Sequence, residues 1–404
     1  MKWNIWKWIA AMPARNAVIA AVLLVPIAIF FTLKLRFSYD YADFFPTNDP
    51  DLEFYFEFRE QFEPDDNFLL IGCRPSGGVY QSDFLTRLDS VTRYCQSLPA
   101  VERAISITNF QYAVKSPFGF MDFPALHVDD PTRYAADSVR ISQDERLHGK
   151  LISTDGSTVI VLLKTVDTLT QADAKPLIDA IRASMAAVQL DDYHLLGKAY
   201  FETELVRIQQ KEFLLYAFLS VVLVIVVTFI MFRKVWVVVI SALTVALSLL
   251  LFTGLMGALG IEQNVMSTLY PIVIIIIGIS DAVHFIGKYL IELRRNSNRK
   301  IALFRTLADI GFATGLTAVT SAIGFLSMLT SNVPPIRNFG VYSALGVLVV
   351  YAVVIFIISP MLTLFRQDQL DAHTDGESPG WTKFLNNLYL TGKNRVKPIL
   401  LVTI

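Results

Sequence analysis

The chain has 404 residues, 53% of them hydrophobic and 18% charged, with a net charge of -1 and a mean hydropathy of +0.48. So apolar a balance points to a membrane protein, and so neutral a one excludes nucleic acid as a partner, which would need a basic face. Five histidines and two cysteines are scattered without metal-ligand spacing, and no G-x-x-x-x-G-K-S/T loop occurs, so neither a metal site nor ATP hydrolysis is expected.

Residues 1–16 read as an amphipathic, aromatic lead-in on the cytoplasmic side, carrying Lys2, Lys7 and Arg15. Residues 17–33 form a first span. The run is longer than a secretory h-region and no A-x-A-like site follows, so it reads as an uncleaved anchor.

Residues 34–212 have ordinary soluble composition and are expected outside, as a periplasmic α/β domain. Strands are predicted at Phe68–Cys73, Arg103–Thr108 and Tyr193–Gly197, and helices at Ser82–Leu98 and Ala172–Val188. A hairpin of Leu147–Ser153 with Thr158–Thr165 is predicted over Asp155-Gly156. Strand–helix–strand units of this kind suggest a ferredoxin-like sandwich, with room for two such halves. Phe110–Asp144, with Pro117, Gly119, Pro124 and Pro131, reads as a connector. Cys73 and Cys95 are expected as two buried thiols, because the helix carries them roughly 20 Å apart. His127, His148 and His194 have no nucleophile beside them, and no catalytic residue is assigned.

Residues 213–365 hold five further apolar runs of near-spanning length, roughly Phe213–Phe232, Val235–Leu259, Met266–Tyr289, Ile310–Leu329 and Gly340–Phe365. Basic residues set the orientation. Arg233 and Lys234, then Lys288 through Arg305, then Arg366 share the side of the N-terminus, which is therefore the cytoplasm. Arg337 is a lone exception.

Within the fourth span stands Asp281, in MSTLYPIVIIIIGISDAVHFIGKY. A carboxylate at the centre of a membrane helix costs about 2.5–3.5 kcal/mol on insertion scales, and such residues mark ion or proton paths. His284 follows three residues later, a spacing that sets both on one helix face. An imidazole beside a carboxyl group can exchange protons near neutral pH. Asp281, His284 and the adjacent Ser280 are the candidate proton relay. Thr314, Thr317 and Ser321 on span five are candidate partners; the bland alternative is that they bond their own backbone carbonyls. Gly278, Gly311 and Gly315 are candidate close-packing positions.

Residues 366–380 (Asp368–Gly380, DQLDAHTDGESPG) resemble a flexible cytoplasmic linker. Residues 381–404 echo the N-terminus at one fixed offset: Trp381 for Trp3, Lys393 for Arg15, Asn394 for Asn16, Val396 for Val18 and Leu401 for Leu23. That pattern suggests a duplication, with the start of a seventh span.

Two motifs carry a family resemblance. FFPTNDPDLEFYFEFREQFEPDDNFLL (Phe44–Leu70) and GISDAVHFIGKY (Gly278–Tyr289) resemble the outer-domain opening and the fourth-span signature of the resistance-nodulation-division (RND) superfamily, in its MMPL branch of Patched-like lipid exporters. The resemblance covers essentially the whole chain. It implies the first half of an RND transporter: an α-helical polytopic membrane protein of the bacterial inner membrane, multi-pass, with its N-terminus in the cytoplasm. Its activity would be export of hydrophobic, hopanoid-, sterol- or lipid-like substrates, driven by a proton gradient with no other cofactor. The partners implied are membrane lipids and either a second repeat or another copy of the chain. Many members place Asp-Tyr where this chain has Ser280-Asp281, so the acid is shifted by one position, about 100° around the helix. The alternatives are a SecDF-like secretion accessory and a non-pumping, sterol-sensing-like lipid sensor.

Overall fold

The computed structural model describes residues 2–364, apart from 40–43, 48, 63–65, 117–118, 168 and 296–297, together with residue 387. The linker and second-repeat expectations for 366–404 lie outside the described residues. The chain is mostly helical, and six helices are long and apolar enough to cross a membrane.

Helix α1 (Lys2–Ala11) leads into α2 (Ala14–Thr32), the first span. At 1.5 Å per residue α2 is about 28 Å long, close to a hydrocarbon core of about 30 Å. Its partner is α8 (Val235–Ala258), and glycines allow the approach. A methyl group at Gly254 would come within 2.7 Å of Ala28 Cα, and one at Gly257 would meet the Phe31 carbonyl. The Thr32 and Thr253 hydroxyls pair at 3.0 Å where α2 ends.

Between α2 and the second span lies the α/β domain. Asp49 accepts from the Asp51 amide and caps α3 (Pro50–Gln61), with Pro50 at the position where a missing N–H costs nothing. Then come β1 (Phe68–Cys73), α4 (Ser82–Gln96), β2 (Val101–Ile105), β3 (Gln111–Ser116), β4 (Gly119–Pro124), α5 (Tyr134–Gln143), β5 (Val159–Thr165), α6 (Gln171–Ala187) and β6 (Tyr193–Gly197). One antiparallel sheet runs β2-β5-β1-β6, and β3-β4 is a separate hairpin. Alternation buries Leu69, Ile71 and Cys73 beside Val159, Val161 and Leu163. They pack with Leu85, Leu88 and Val91 of α4 and Ile178, Ile181 and Met185 of α6. Cys73 and Cys95 are free buried thiols, as expected, and burial pushes each up to about 12.

Three expectations for this domain change. A single four-stranded sheet stands among the described residues, not two halves. Leu147–Ser153 is not a strand; only isolated bridges tie Ile152 to Val159 and to His148, because Leu147, Leu151 and Ile152 all turn into the core rather than alternating. Phe110–Asp144 holds the β3-β4 hairpin and α5. The hairpin escapes pattern reading because Val114, Met121 and Phe123 are exposed apolar residues, so burial does not mark its inner face.

Strand β6 passes straight into α7 (Lys198–Phe232), 35 residues without a break, continuing as the second span. Gly197 makes the corner: φ is +151°, and a side chain there would strike the Phe68 carbonyl. The other spans are α8; Val265–Arg295, containing α9 (Tyr270–Arg295); Arg299–Thr330, containing α10 (Arg299–Thr306) and α11 (Phe312–Leu326); and Pro334–Leu364, containing α12 (Pro334–Ala352) and α13 (Ser359–Met361). Asn264 and Ser267 cap the start of the fourth span reciprocally. The ends of alternate spans meet the domain. The Ser38 amide donates to Gln263 O at 2.9 Å and the Thr47 amide to Asn332 O at 2.8 Å.

Candidate functional site

Helix α9 lies inside the bundle. Its buried stripe runs through Ile274, Gly278, Asp281, Phe285 and Tyr289, the 3–4 spacing of one helical face. Asp281 is about 16 Å along the helix from Tyr270 at 1.5 Å per residue, half-way through a bilayer. It is 6% exposed, and its Oδ2 has no hydrogen-bond partner among the described residues.

The walls of the site follow from register. A methyl group at Gly278 would come within 3.0 Å of Val245 on α8 and 3.8 Å of Val350 on α12. Asp281, one turn later, therefore faces the seam between α8 and α12. Because α8 runs opposite to α9, that level meets the turn before Val245, where Ser241 is fully buried with its hydroxyl unpartnered. Buried polar atoms left without partners are rare in folded proteins and point to function.

Tyr351 lies within electrostatic reach of Asp281. Its hydroxyl donates to the Gly311 carbonyl at 2.9 Å, tying the sixth span to the fifth. Gly315 makes room for it, since a methyl group there would sit 2.7 Å from the tyrosine oxygen. Gly311 faces Trp6 of α1, which a methyl group would approach to 3.2 Å. Gly278, Gly311 and Gly315 are thus all points of close approach. The hydrogen-bonded segments at Leu307–Gly311 and Val353–Ile358 are π-helical, wider turns that occur often at functional sites.

The other relay candidates lie elsewhere. Ser280 and His284 are exposed on α9, rotated away from the Asp281 seam. Thr314 is buried and donates to the Ile310 and Gly311 carbonyls. Thr317 is exposed and donates to Ala313 O, while Ser321 is half-buried. Thr314 and Thr317 therefore follow the backbone-bonding alternative.

Further along the stripe stands a group the sequence reading passed over. Glu292 is 3% exposed, with Lys288 at 3.2 Å, Arg295 at 3.5 Å and Arg305 at 3.8 Å; Lys288 also meets Asp309 of the π-helical segment at 2.8 Å. The i, i+4 pair of Lys288 with Glu292 on the Asp281 face was the available signal. Tyr351 had none, since only the tertiary fold brings it near. No group of three or more metal-ligating side chains occurs among the described residues.

Residues 100–382 match the profile of the MMPL family. Over 141 residues the chain is 24% identical to a Methanocaldococcus jannaschii protein, MJ1562, whose name describes it as a membrane protein. The match covers 35% of this chain and 36% of that relative, so the chain spans about a third of the length of the curated protein it matches.

Proposed function

Because this chain belongs to the MMPL family, and because its fourth span holds a buried acid with an unpartnered oxygen, we propose that it is a proton-driven exporter of hydrophobic or lipid-like substrates. The observation that carries this reading is the placement of Asp281: central in the bundle, on the interior face, with Oδ2 free. A proton arriving at that oxygen removes a charge from an apolar interior, and its departure restores the charge. Each arrangement of the α8–α9–α12 seam then favours one protonation state. Tyr351 and the two π-helical turns transmit the change to spans five and six. Ser280 and His284, on the exposed face of the same helix, supply the route by which protons enter, and the hydroxyls of Thr314, Thr317 and Ser321 on the fifth span are the candidate partners in this reading.

Motion leaves the bundle through α7, which joins it to the sheet without a loop. The β-α-β-β-α-β order of the main sheet supports a ferredoxin-like domain, the fold such a porter would use. In this reading the domain is periplasmic, the basic face of the bundle is cytoplasmic and the membrane is the bacterial inner membrane. The substrates are hopanoid-, sterol- or lipid-like molecules. The working unit includes a second repeat or a second copy of the chain.

The test is proton-gradient-dependent lipid transfer by the full-length protein in liposomes. Asp281→Asn is expected to abolish transfer while leaving expression and folding intact. Full transfer by that variant would sink the coupling role and favour a lipid sensor.

A further inference from the structure

A cleft of about 800 Å³ opens where the α/β domain meets the bundle. Its walls are α6, the early turns of α7, the chain leaving α2 and the loop between α8 and α9. Leu35 to Ser38 lie just past the end of α2 at Thr32, and Val206 to Gln210 just before Phe213, where the apolar part of α7 begins. The cleft therefore sits at the height of lipid head groups in the leaflet on the domain side. Its floor is tied down. The Gln263 amide donates to Arg36 O at 2.7 Å, the Ser38 amide to Gln263 O at 2.9 Å, and the Gln209 side chain reaches the Gln263 and Asn264 carbonyls.

The charges in the cleft divide into two sets. Arg182 and Arg207 close on Glu204 at 2.6 and 2.5 Å and satisfy one another. Arg36, Lys175, Asp179 and Glu262 line the same cleft and make no ion pair with any described residue. Two free cations and two free anions at one membrane-level opening fit a ligand that carries both signs. A purely anionic head group would meet Asp179 and Glu262, and a purely cationic one Arg36 and Lys175. Beside the charges, Phe37 packs edge-on against Phe213 at 5.9 Å, and Leu33, just past the end of α2, is 81% exposed. That side offers apolar contact to acyl chains.

We propose that this cleft binds the phosphate–ammonium head group of a zwitterionic lipid taken from the leaflet on the domain side. Arg36 and Lys175 hold the phosphate, Asp179 and Glu262 hold the ammonium, and the acyl chains leave past Phe37 and Leu33. The assignment rests on the lipid-handling part of the reading above and not on its proton coupling.

The experiment is lipid retention by the purified full-length protein. The protein is equilibrated in nanodiscs of equal parts phosphatidylethanolamine and phosphatidylglycerol, released into mild detergent and analysed by native mass spectrometry. Retained phosphatidylethanolamine is expected to exceed phosphatidylglycerol several-fold. Arg36→Glu with Lys175→Glu is expected to remove that excess. Asp179→Lys with Glu262→Lys is expected to invert it toward phosphatidylglycerol. Equal retention by the unaltered protein, or an unchanged preference in both double variants, overturns the assignment. Displacement by soluble glycerophosphoethanolamine as efficient as by the lipid would put the source in solution and overturn the leaflet part. Asp281→Asn alters no group of the cleft and is expected to keep the preference, so failure of proton coupling and failure of this site read out separately.

Discussion

Two buried aspartates, one in each region of the molecule, have opposite surroundings. Asp137, in the α/β domain, is 2% exposed and fully engaged. It accepts from the His127 amide at 2.9 Å, meets the His127 ring at 3.0 Å and accepts from Arg140 at 2.6 Å. Asp281, in the bundle, is nearly as buried and leaves Oδ2 without a partner. A carboxylate enclosed by donors holds a fold together. One whose Oδ2 meets no donor among the described residues, a turn past the contact of Gly278 with Val245 and Val350, is not held in one state. Asp137 is spent on structure, while Asp281 keeps one oxygen unpartnered.

The largest effects should fall on this contrast. Asp281→Asn should eliminate gradient-driven transfer and leave the domain's stability unchanged. Asp137→Ala should do the reverse, costing about 3 kcal/mol because His127 and Arg140 lose their shared acceptor. The rate at which thiol reagents reach Cys73 and Cys95 in urea would register that loss. Equal behaviour of the two variants in both assays would break the comparison.

Next in size is the packing that places the acid. Gly278→Leu should cost roughly 1–3 kcal/mol by forcing α9 away from Val245 and α12. The same change should lower transfer sharply, seen as a drop in thermal midpoint together with rate. Wild-type stability in Gly278→Leu would mean that the seam is looser than its geometry implies.

Tyr351→Phe sharpens the picture at smaller scale. Losing the bond to Gly311 O should cost about 1 kcal/mol. It should also shift the midpoint of the pH–rate profile, since Asp281 loses a polar neighbour. A change in maximal rate with no shift of the profile would make Tyr351 a packing residue alone.

The smallest effect belongs to a pair whose arginine is exposed. Arg146 and a backbone amide hold Asp144 down to about 2, below its unfolded value. Its contribution is therefore complete above about pH 4 and fades as pH falls toward 2. Solvent screening keeps it small, about 0.5 kcal/mol. Asp144→Asn should flatten the acid limb of the domain's stability curve by no more than that.

Much of the architecture was legible because membranes impose blunt rules. Length and apolarity mark the six spans, and the cost of a charge in hydrocarbon singles out Asp281. Details that depend on rotation by a fraction of a turn were not legible. Three residues along a helix amount to about 60° of residual rotation, which suffices to leave Asp281 buried and His284 exposed. The aromatic run after the first span misleads in the same way. Phe54, Tyr55, Phe56 and Phe58, which hydrophobicity alone would bury, are all exposed. Composition reports hydrophobicity but not which way a helix is turned.

The unbroken passage from β6 into α7 has a mechanical consequence. A loop between sheet and membrane would absorb small movements, whereas a stiff rod magnifies them. At 1.5 Å per residue α7 is about 52 Å long, so a tilt of about 5° at its membrane end sweeps the sheet end through roughly 4–5 Å. The bundle need rearrange by little more than the width of a side-chain contact for the domain to swing by nearly the spacing of neighbouring β-strands.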